Sequence, residues 1–154
     1  MNDSEIIAKM IRAKGLYSFG SDTKTIEKQS TYIASLLKED EGVFAAAFAK
    51  ATINGKNYPG VGILLMTNKR VMFGYKYFLG KAFFDAPIDK DIKFVQTKDR
   101  LVFDTSKGEM AIDFSGGLNL ELLEEDDAVR AEVNTKINTF LEWFGSSVKT
   151  FVKA

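Results

Sequence analysis

Residues 60–75 read Gly60-Val61-Gly62-Ile63-Leu64-Leu65-Met66-Thr67-Asn68-Lys69-Arg70-Val71-Met72-Phe73-Gly74-Tyr75. Two apolar runs flank a short polar corner, and each run is too short for an ordinary core helix and rich in residues that favour strands. The stretch therefore predicts a buried β-hairpin with its corner at residues 67–70. Gly74, inside the second strand, predicts a bulge or a close approach of a neighbouring segment.

The wider region, residues 43–114, has the pattern of about seven short strands joined mainly by tight turns. Residues 43–53 favour a strand because a nearly all-Ala set alternates with Phe44, Ala46, Phe48, Lys50 and Thr52. A helix is the alternative there, since Ala is a weak strand former. Residues 54–60 predict a loop with an Asn-Gly turn, and further strands are expected at 82–86, 92–97, 100–105 and 109–114. Such spacing is typical of an antiparallel sandwich or a small barrel.

Amphipathic helices are predicted on both sides of these strands. The first begins at Asp3 or Ser4 and ends near Gly15, and the second begins at Asp22. We interpret residues 39–41, which follow the second helix, as a solvated acidic turn. A last helix begins at Asn119 or Asp126, and its apolar stripe consists of Val129, Val133, Ile137, Phe140, Leu141 and Phe144.

The order of these elements resembles the bacterial PH-like (pleckstrin-homology-like) domain family, in particular its YokE-like subgroup. Residues 63–73 match the apolar-Thr-Asn-Lys-Arg-apolar signature of that family, and residues 86–95, 101–105 and 110–114 fit its later strands. The resemblance implies an α+β fold with a mainly β core. It would be a PH-like bent antiparallel barrel of about seven strands, capped by a C-terminal helix and preceded by two N-terminal helices.

The implied organisation is an N-terminal helical segment at 1–41, a PH-like domain at 42–145 and a C-terminal tail at 146–154. The resemblance implies a binding module, but a fold alone does not fix a ligand.

The composition excludes several classes of function. The chain of 154 residues contains no Cys and no His, which excludes disulfides, thiolate chemistry, triads with a His base and most zinc sites. No carboxylates are paired as acid and base, so we expect no catalytic residues, no cofactor and no enzyme activity. The acidic cluster at residues 121–127 lacks the spacing of a calcium loop, and we expect no metal.

Charge and hydropathy further restrict the classes of partner and the cellular location. Lys plus Arg equals Asp plus Glu, at 21 each, so nothing in the net charge attracts nucleic acid, and no nucleic-acid partner is expected. No apolar run approaches the roughly 20 residues that span a bilayer, and no signal peptide is recognisable. We therefore expect a cytoplasmic protein.

Two surfaces are candidates for partner binding. One is the corner formed by Tyr77, Phe78 and Leu79, which places aromatic residues between lysines at a loop tip. The other is the apolar face of the first helix, formed by Ile6, Ile7, Met10 and Ile11. The alternative for the corner is that it folds back onto the N-terminal helices, and the alternative for the helix is that it packs on its own barrel.

The favoured function is a non-catalytic module that mediates protein–protein interaction or self-assembly as a homo-oligomer. The alternative is peripheral membrane or lipid-headgroup binding through a weak basic patch, whose possible anion-binding residues are Lys56, Lys69, Arg70, Lys76 and Lys81. For Lys69 and Arg70, a purely structural role in the turn is a competing interpretation. Specific phosphoinositide binding is not favoured, because the loop at residues 54–60 carries only one of these lysines.

Overall fold

A computed structural model describes residues 2–14, 23–96 and 100–113, together with Glu142, Phe144 and Ser146. The architecture is α+β. The helices are α1 (Asp3–Lys14) and α2 (Thr23–Ala34). The strands are β1 (Val43–Ile53), β2 (Lys56–Asn57), β3 (Gly62–Thr67), β4 (Arg70–Tyr77), β5 (Gly80–Pro87), β6 (Lys93–Gln96), β7 (Arg100–Thr105) and β8 (Gly108–Asp113).

The strands form one antiparallel sheet in the order β5-β4-β3-β1-β8-β7-β6, with β2 attached to β1. The long strand β1 joins the two halves of the sheet, because it pairs with β3 from Val43 to Ala49 and with β8 from Lys50 to Ile53. Among the described strands, β5 and β6 are the edges and do not pair with each other. The sheet is therefore not closed into the expected barrel, and it has eight strands rather than about seven.

The two faces of β1 enter two different hydrophobic clusters, which is why an Ala-rich segment is a strand here. Ala45, Ala47 and Ala49 belong to the inner cluster with large side chains of β3, β4, β7 and β8. Ala46 and Phe48, on the other face, belong to the outer cluster beneath the helices. Small side chains on the inner face leave room for the large ones opposite. The strand prediction for residues 43–53 is confirmed, and the helical alternative is wrong.

The predicted C-terminal helix lies outside the described residues except at Glu142 and Phe144, which are helical; Ser146, which the sequence placed in the C-terminal tail, is helical too. Phe144 is fully buried in the inner cluster. Its ring meets the ring of Phe103 edge-on, with the centroids 6.0 Å apart. Phe144 thus contributes to the core of the sheet.

Helices α1 and α2 cover the outer face of the sheet, where Ile7, Ile11, Ile26 and Ile33 are fully buried. The first helix is capped by Asn2, whose Oδ1 accepts the N–H of Glu5 at 2.9 Å. The prediction of Asp3 or Ser4 as the cap was therefore wrong, while the predicted cap of the second helix, residue 22, lies outside the described residues. None of the described helices is long and apolar enough to cross a membrane.

Helix α2 comes close to β4 at Gly74. A Cβ atom at this position would lie 2.9 Å from Ile33 Cδ1 and 3.2 Å from the carbonyl oxygen of Ala82. The register of β4 with β5 is continuous through Gly74, and its pairing with β3 runs without a shift up to Gly74, where it ends. The glycine therefore marks a close approach rather than a bulge.

The Asn-Gly turn after β1 is confirmed, since Asn54 has φ +52° and Gly55 has φ +80°. Both values suit a two-residue hairpin turn, and the turn leads into β2, where the sequence predicted only a loop. Asn54 also binds the start of β8, because its Oδ1 accepts the N–H of Glu109 at 3.0 Å.

Candidate functional site

The corner between β3 and β4 is built around the buried side chain of Arg70. Its Nε and Nη2 donate to the two carboxylate oxygens of Glu41 at 2.8 and 2.9 Å. Nη1 donates to Asp85 Oδ2 at 3.0 Å, and Nη2 also donates to the carbonyl oxygen of Leu36 at 2.7 Å. Thr67 supports the same corner, because its hydroxyl donates to Glu41 at 2.7 Å and accepts the main-chain N–H of Arg70 at 3.1 Å.

The pKa values of the corner follow from these contacts. Burial alone would raise the pKa of Glu41, but hydrogen bonds from Arg70, Thr67 and the Lys38 N–H outweigh it, and the pKa lies below its usual value. The hydrogen bond with Glu41 raises the pKa of Arg70 further. The pKa of Asp85 is likewise lowered, because its bonds from Arg70 and a neighbouring lysine outweigh its burial. The cluster is therefore fully ionised at neutral pH.

These contacts tie the connection between α2 and β1 to β4 and β5. Four of the five N–H donors of Arg70 are used internally. Lys69 makes an ion pair with Asp40. The structural interpretation of this turn is supported, because Arg70 directs these donors to groups of its own chain. The interpretation of residues 39–41 as a solvated turn is wrong for Glu41, whose side chain is fully buried.

The remaining members of the basic set lie in two places. Lys56 is on β2, with its Nζ 5.5 Å from the centroid of the Tyr58 ring. Lys76 and Lys81 are directly opposite each other on β4 and β5, and both are exposed. The five proposed anion-binding residues therefore lie in three separate places: Lys69 and Arg70 in the corner, Lys56 on β2, and Lys76 with Lys81 at the end of the β4–β5 hairpin.

The predicted partner-binding face of the first helix lies against the sheet of the same chain. Ile7 and Ile11 are fully buried there, while Ile6 and Met10 are half-buried. This face already has an occupant within the chain. The first helix therefore packs on the sheet of its own chain, and little of its apolar face remains for a partner.

The other predicted surface is exposed. Strands β4 and β5 extend as far as Tyr77 and Gly80, and only Phe78 and Leu79 form the turn between them. Phe78 is 101% exposed and Leu79 is 93% exposed. The alternative in which these residues fold back onto the helices is therefore wrong. Two large apolar side chains side by side in water are uncommon for an ordinary turn.

Tyr77 anchors the base of this turn. Its hydroxyl donates to the carbonyl oxygen of Val61 at 2.6 Å, and its ring lies 5.6 Å from that of Tyr75. Burial, and then the charge of Tyr75, raise the pKa of Tyr77. The phenol therefore stays protonated and keeps donating its hydrogen bond.

A groove of about 520 Å³ separates this hairpin end from helix α2, and its described lining residues are Lys28, Tyr32, Lys76, Tyr77 and Phe78. We call these five residues together with Leu79 and Lys81 the tip surface. Lys28, Lys76 and Lys81 form no ion pair with another described residue; the ion pairs between described residues use other cations. The tip surface thus combines exposed apolar side chains with three positive charges that no described carboxylate pairs with.

Gln29 fixes the position of α2 relative to the hairpin. It is fully buried. Its Nε2 donates to the carbonyl oxygen of Lys76 at 2.9 Å, and its Oε1 accepts the N–H of Lys76 at 2.8 Å. The pairing of β4 with β3 ends at Gly74, so the side-chain amide takes the place of a neighbouring strand. The groove walls are held together by these two bonds.

Two other depressions have only polar or small described lining residues. One, of about 460 Å³, lies between α1 and α2 and is bridged by an Arg12–Glu27 ion pair at 3.3 Å. Another, of about 660 Å³, lies along the exposed side of α2. Within the described part of the chain, no three carboxylates gather where they could hold a metal ion; the acidic cluster at 121–127 lies outside it.

Lys28, Gln29 and Tyr32, which bring α2 to the hairpin, were not predicted from the sequence. A signal for Gln29 was present, because it lies three residues after Ile26 and four before Ile33, on the apolar face of the helix. A polar residue on such a face needs a buried partner. Nothing in the sequence indicated which strand would supply it.

Comparisons with known proteins find no protein-family model and no curated protein that matches this chain. The function has to be inferred from the tip surface itself.

Proposed function

We propose that the protein is a non-catalytic PH-like binding module that recognises a protein partner through the tip surface. The observation that carries this proposal is the pair Phe78 and Leu79, both almost fully exposed at the end of a hydrogen-bonded hairpin. Burying a side chain of this size contributes roughly 1.5–3 kcal/mol. Most of the binding energy of a protein interface comes from a few side chains that become fully buried, and aromatic residues such as Phe78 are enriched in interfaces.

Three further features support a binding role. The groove beside the tip is held in place by Gln29, so little conformational entropy is lost when a partner binds. The chain has no His and no Cys, which removes the most common acid–base and nucleophilic residues. A long strand shared by two half-sheets, with the helical residue Phe144 in the core, is consistent with the PH-like arrangement. That arrangement favours binding only in general terms.

The test is a double substitution, Phe78→Ser with Leu79→Ser, in the full chain. Val95→Ser is the matched control, since Val95 is also an exposed apolar side chain (62%) but lies on β6, at the opposite edge of the sheet. Both variants should melt like the wild type, because exposed substitutions typically change stability by no more than about 0.5 kcal/mol.

The wild type and the Val95→Ser variant should then capture the same protein from cell extract. That protein, identified by mass spectrometry and purified, should bind them with equal affinity and bind the double variant at least tenfold more weakly. Light scattering on the purified chain shows whether the partner is a second copy. Equal affinity of the purified partner for all three proteins would refute the proposal.

A second candidate, peripheral membrane contact, is favoured by one observation. Lys76 and Lys81 flank the two apolar tip residues, which is an arrangement that suits insertion between anionic headgroups. Each lysine near such a surface contributes on the order of 1 kcal/mol. Sedimentation with anionic vesicles at low and high salt tests it. Salt-sensitive binding that Phe78→Ser with Leu79→Ser abolishes would favour this candidate over a protein partner.

A further inference from the structure

We infer that the partner segment bound by the tip surface is acidic, with Asp or Glu carboxylates next to an apolar side chain. This inference rests on the proposed function and specifies the chemistry of its partner. It is drawn from the charges around the groove, whereas the proposed function is drawn from the exposed apolar pair.

The main observation is a like-charge pair. Lys76 and Lys81 occupy directly opposite positions of the antiparallel β4–β5 ladder, where side chains project to the same face with their Cβ atoms about 5 Å apart. Like charges in this position destabilise a sheet. A carboxylate placed between the two ammonium groups would remove the repulsion and form two charge-assisted hydrogen bonds.

A third cation faces the same groove from another element. Lys28 comes from α2, and the Gln29–Lys76 bonds fix that helix next to the hairpin. The cations of the nearby corner behave differently, because Lys69 and Arg70 are paired with carboxylates of the same chain. Positive charge at the tip surface has no such partner among the described residues.

The shape of the surface favours a polypeptide segment over a flat bilayer. Tyr32, Tyr77 and Phe78 give the groove aromatic walls, and its volume of about 520 Å³ can hold a few side chains. An apolar side chain of the partner would occupy the groove while its carboxylates meet the lysines at the rim. Rim charges of this kind mainly steer association and set specificity.

The experiment uses the full chain and a dye-labelled ten-residue peptide that contains two Leu, four Glu and otherwise Gly and Ser. Matched peptides carry Gln or Lys in place of Glu. Fluorescence anisotropy should show saturable binding of the Glu peptide, binding at least tenfold weaker for the Gln peptide, and none for the Lys peptide. The affinity for the Glu peptide should fall by about tenfold between 50 mM and 500 mM salt, since rim charges are screened.

A charge reversal tests the acidic partner more specifically. Lys76→Glu with Lys81→Glu should lower the affinity for the Glu peptide by at least tenfold and create binding of the Lys peptide. Lys90→Glu with Lys93→Glu is the control, because it makes the same change in net charge at exposed positions outside the tip surface. Circular dichroism melting of both variants shows that each is folded.

The outcomes separate this inference from the proposed function. One outcome is that the Glu and Gln peptides bind with equal affinity and that this binding is lost in the variant with Phe78→Ser and Leu79→Ser. This result would overturn the acidic partner but would still support a protein partner. Salt-sensitive binding to anionic vesicles without binding of any peptide would overturn both in favour of a membrane. Absence of binding to peptides and vesicles alike would overturn the acidic partner, while the proposed function is decided separately by the affinity of the purified partner.

Discussion

Arg70→Met should lower the stability of the fold more than other substitutions that change side-chain volume as little. It removes the guanidinium that binds both oxygens of Glu41 at 2.8 and 2.9 Å and Asp85 at 3.0 Å. The Glu41 side chain is fully buried, and that of Arg70 is only 11% exposed. The substitution therefore leaves a buried carboxylate without its cation, while the Met side chain still fills most of the space.

Leaving one member of a buried ion pair uncompensated costs about 3–5 kcal/mol. For a chain of 154 residues, each kcal/mol lowers the melting temperature by about 2–4 °C, so the expected decrease is about 6–20 °C. Adding Glu41→Gln to Arg70→Met should recover part of this loss, because the unpaired charge is then removed. The assay is thermal unfolding at pH 7 followed by circular dichroism.

Lys69→Met is the matched control, since Lys69 is the neighbouring cation and its partner Asp40 is exposed. It should melt within experimental error of the wild type, because exposed ion pairs contribute little. The reasoning would be refuted if Arg70→Met melted no lower than Lys69→Met, or if the double variant with Glu41→Gln were less stable than Arg70→Met alone.

Three other outcomes are expected. Glu41 and Asp85 have pKa values below their usual 4.5 and 3.8, so the folded state binds fewer protons than the unfolded state. The melting temperature should therefore stay constant from pH 8 to 6 and fall as the pH drops below about 4.5. Gly74→Ala should destabilise by about 1–3 kcal/mol through overpacking, whereas Gly80→Ala, with nothing within 4 Å of the added Cβ, should be nearly neutral in urea unfolding. Gln29→Leu should lower stability by about 1–3 kcal/mol for each main-chain group left unpaired on β4, and hydrogen exchange should show faster exchange at the hairpin end.

Much of the fold could be predicted because the relevant signals are local. The apolar runs on either side of residues 67–70 determine a hairpin whatever surrounds them. Asn54 and Gly55 both have positive φ, which Asn tolerates and which Gly adopts without strain because it has no Cβ. Gly74 indicated a close approach, but only the structure identifies Ile33 as the side chain that approaches. The identity of a neighbour depends on the packing of distant elements, which periodicity does not encode.

The candidate site was predicted only in its hairpin half, for the same reason. Phe78 and Leu79 stand out in the sequence because two apolar residues follow each other at a corner between lysines. The wall supplied by Lys28 and Tyr32 lies 46 or more positions earlier in the chain, as residues 28 and 32 against 78. Glu41 was misjudged because an acidic run looks solvated until a buried arginine is placed against it.

The most direct test of the tip surface is amide NMR of the full ¹⁵N-labelled chain titrated with the Glu-containing peptide. We expect chemical-shift changes that concentrate at residues 28–32 and 76–81 and that disappear in the variant carrying Phe78→Ser and Leu79→Ser. Shifts that concentrate instead at residues 54–60 or 67–70, with the hairpin end unchanged, would contradict it.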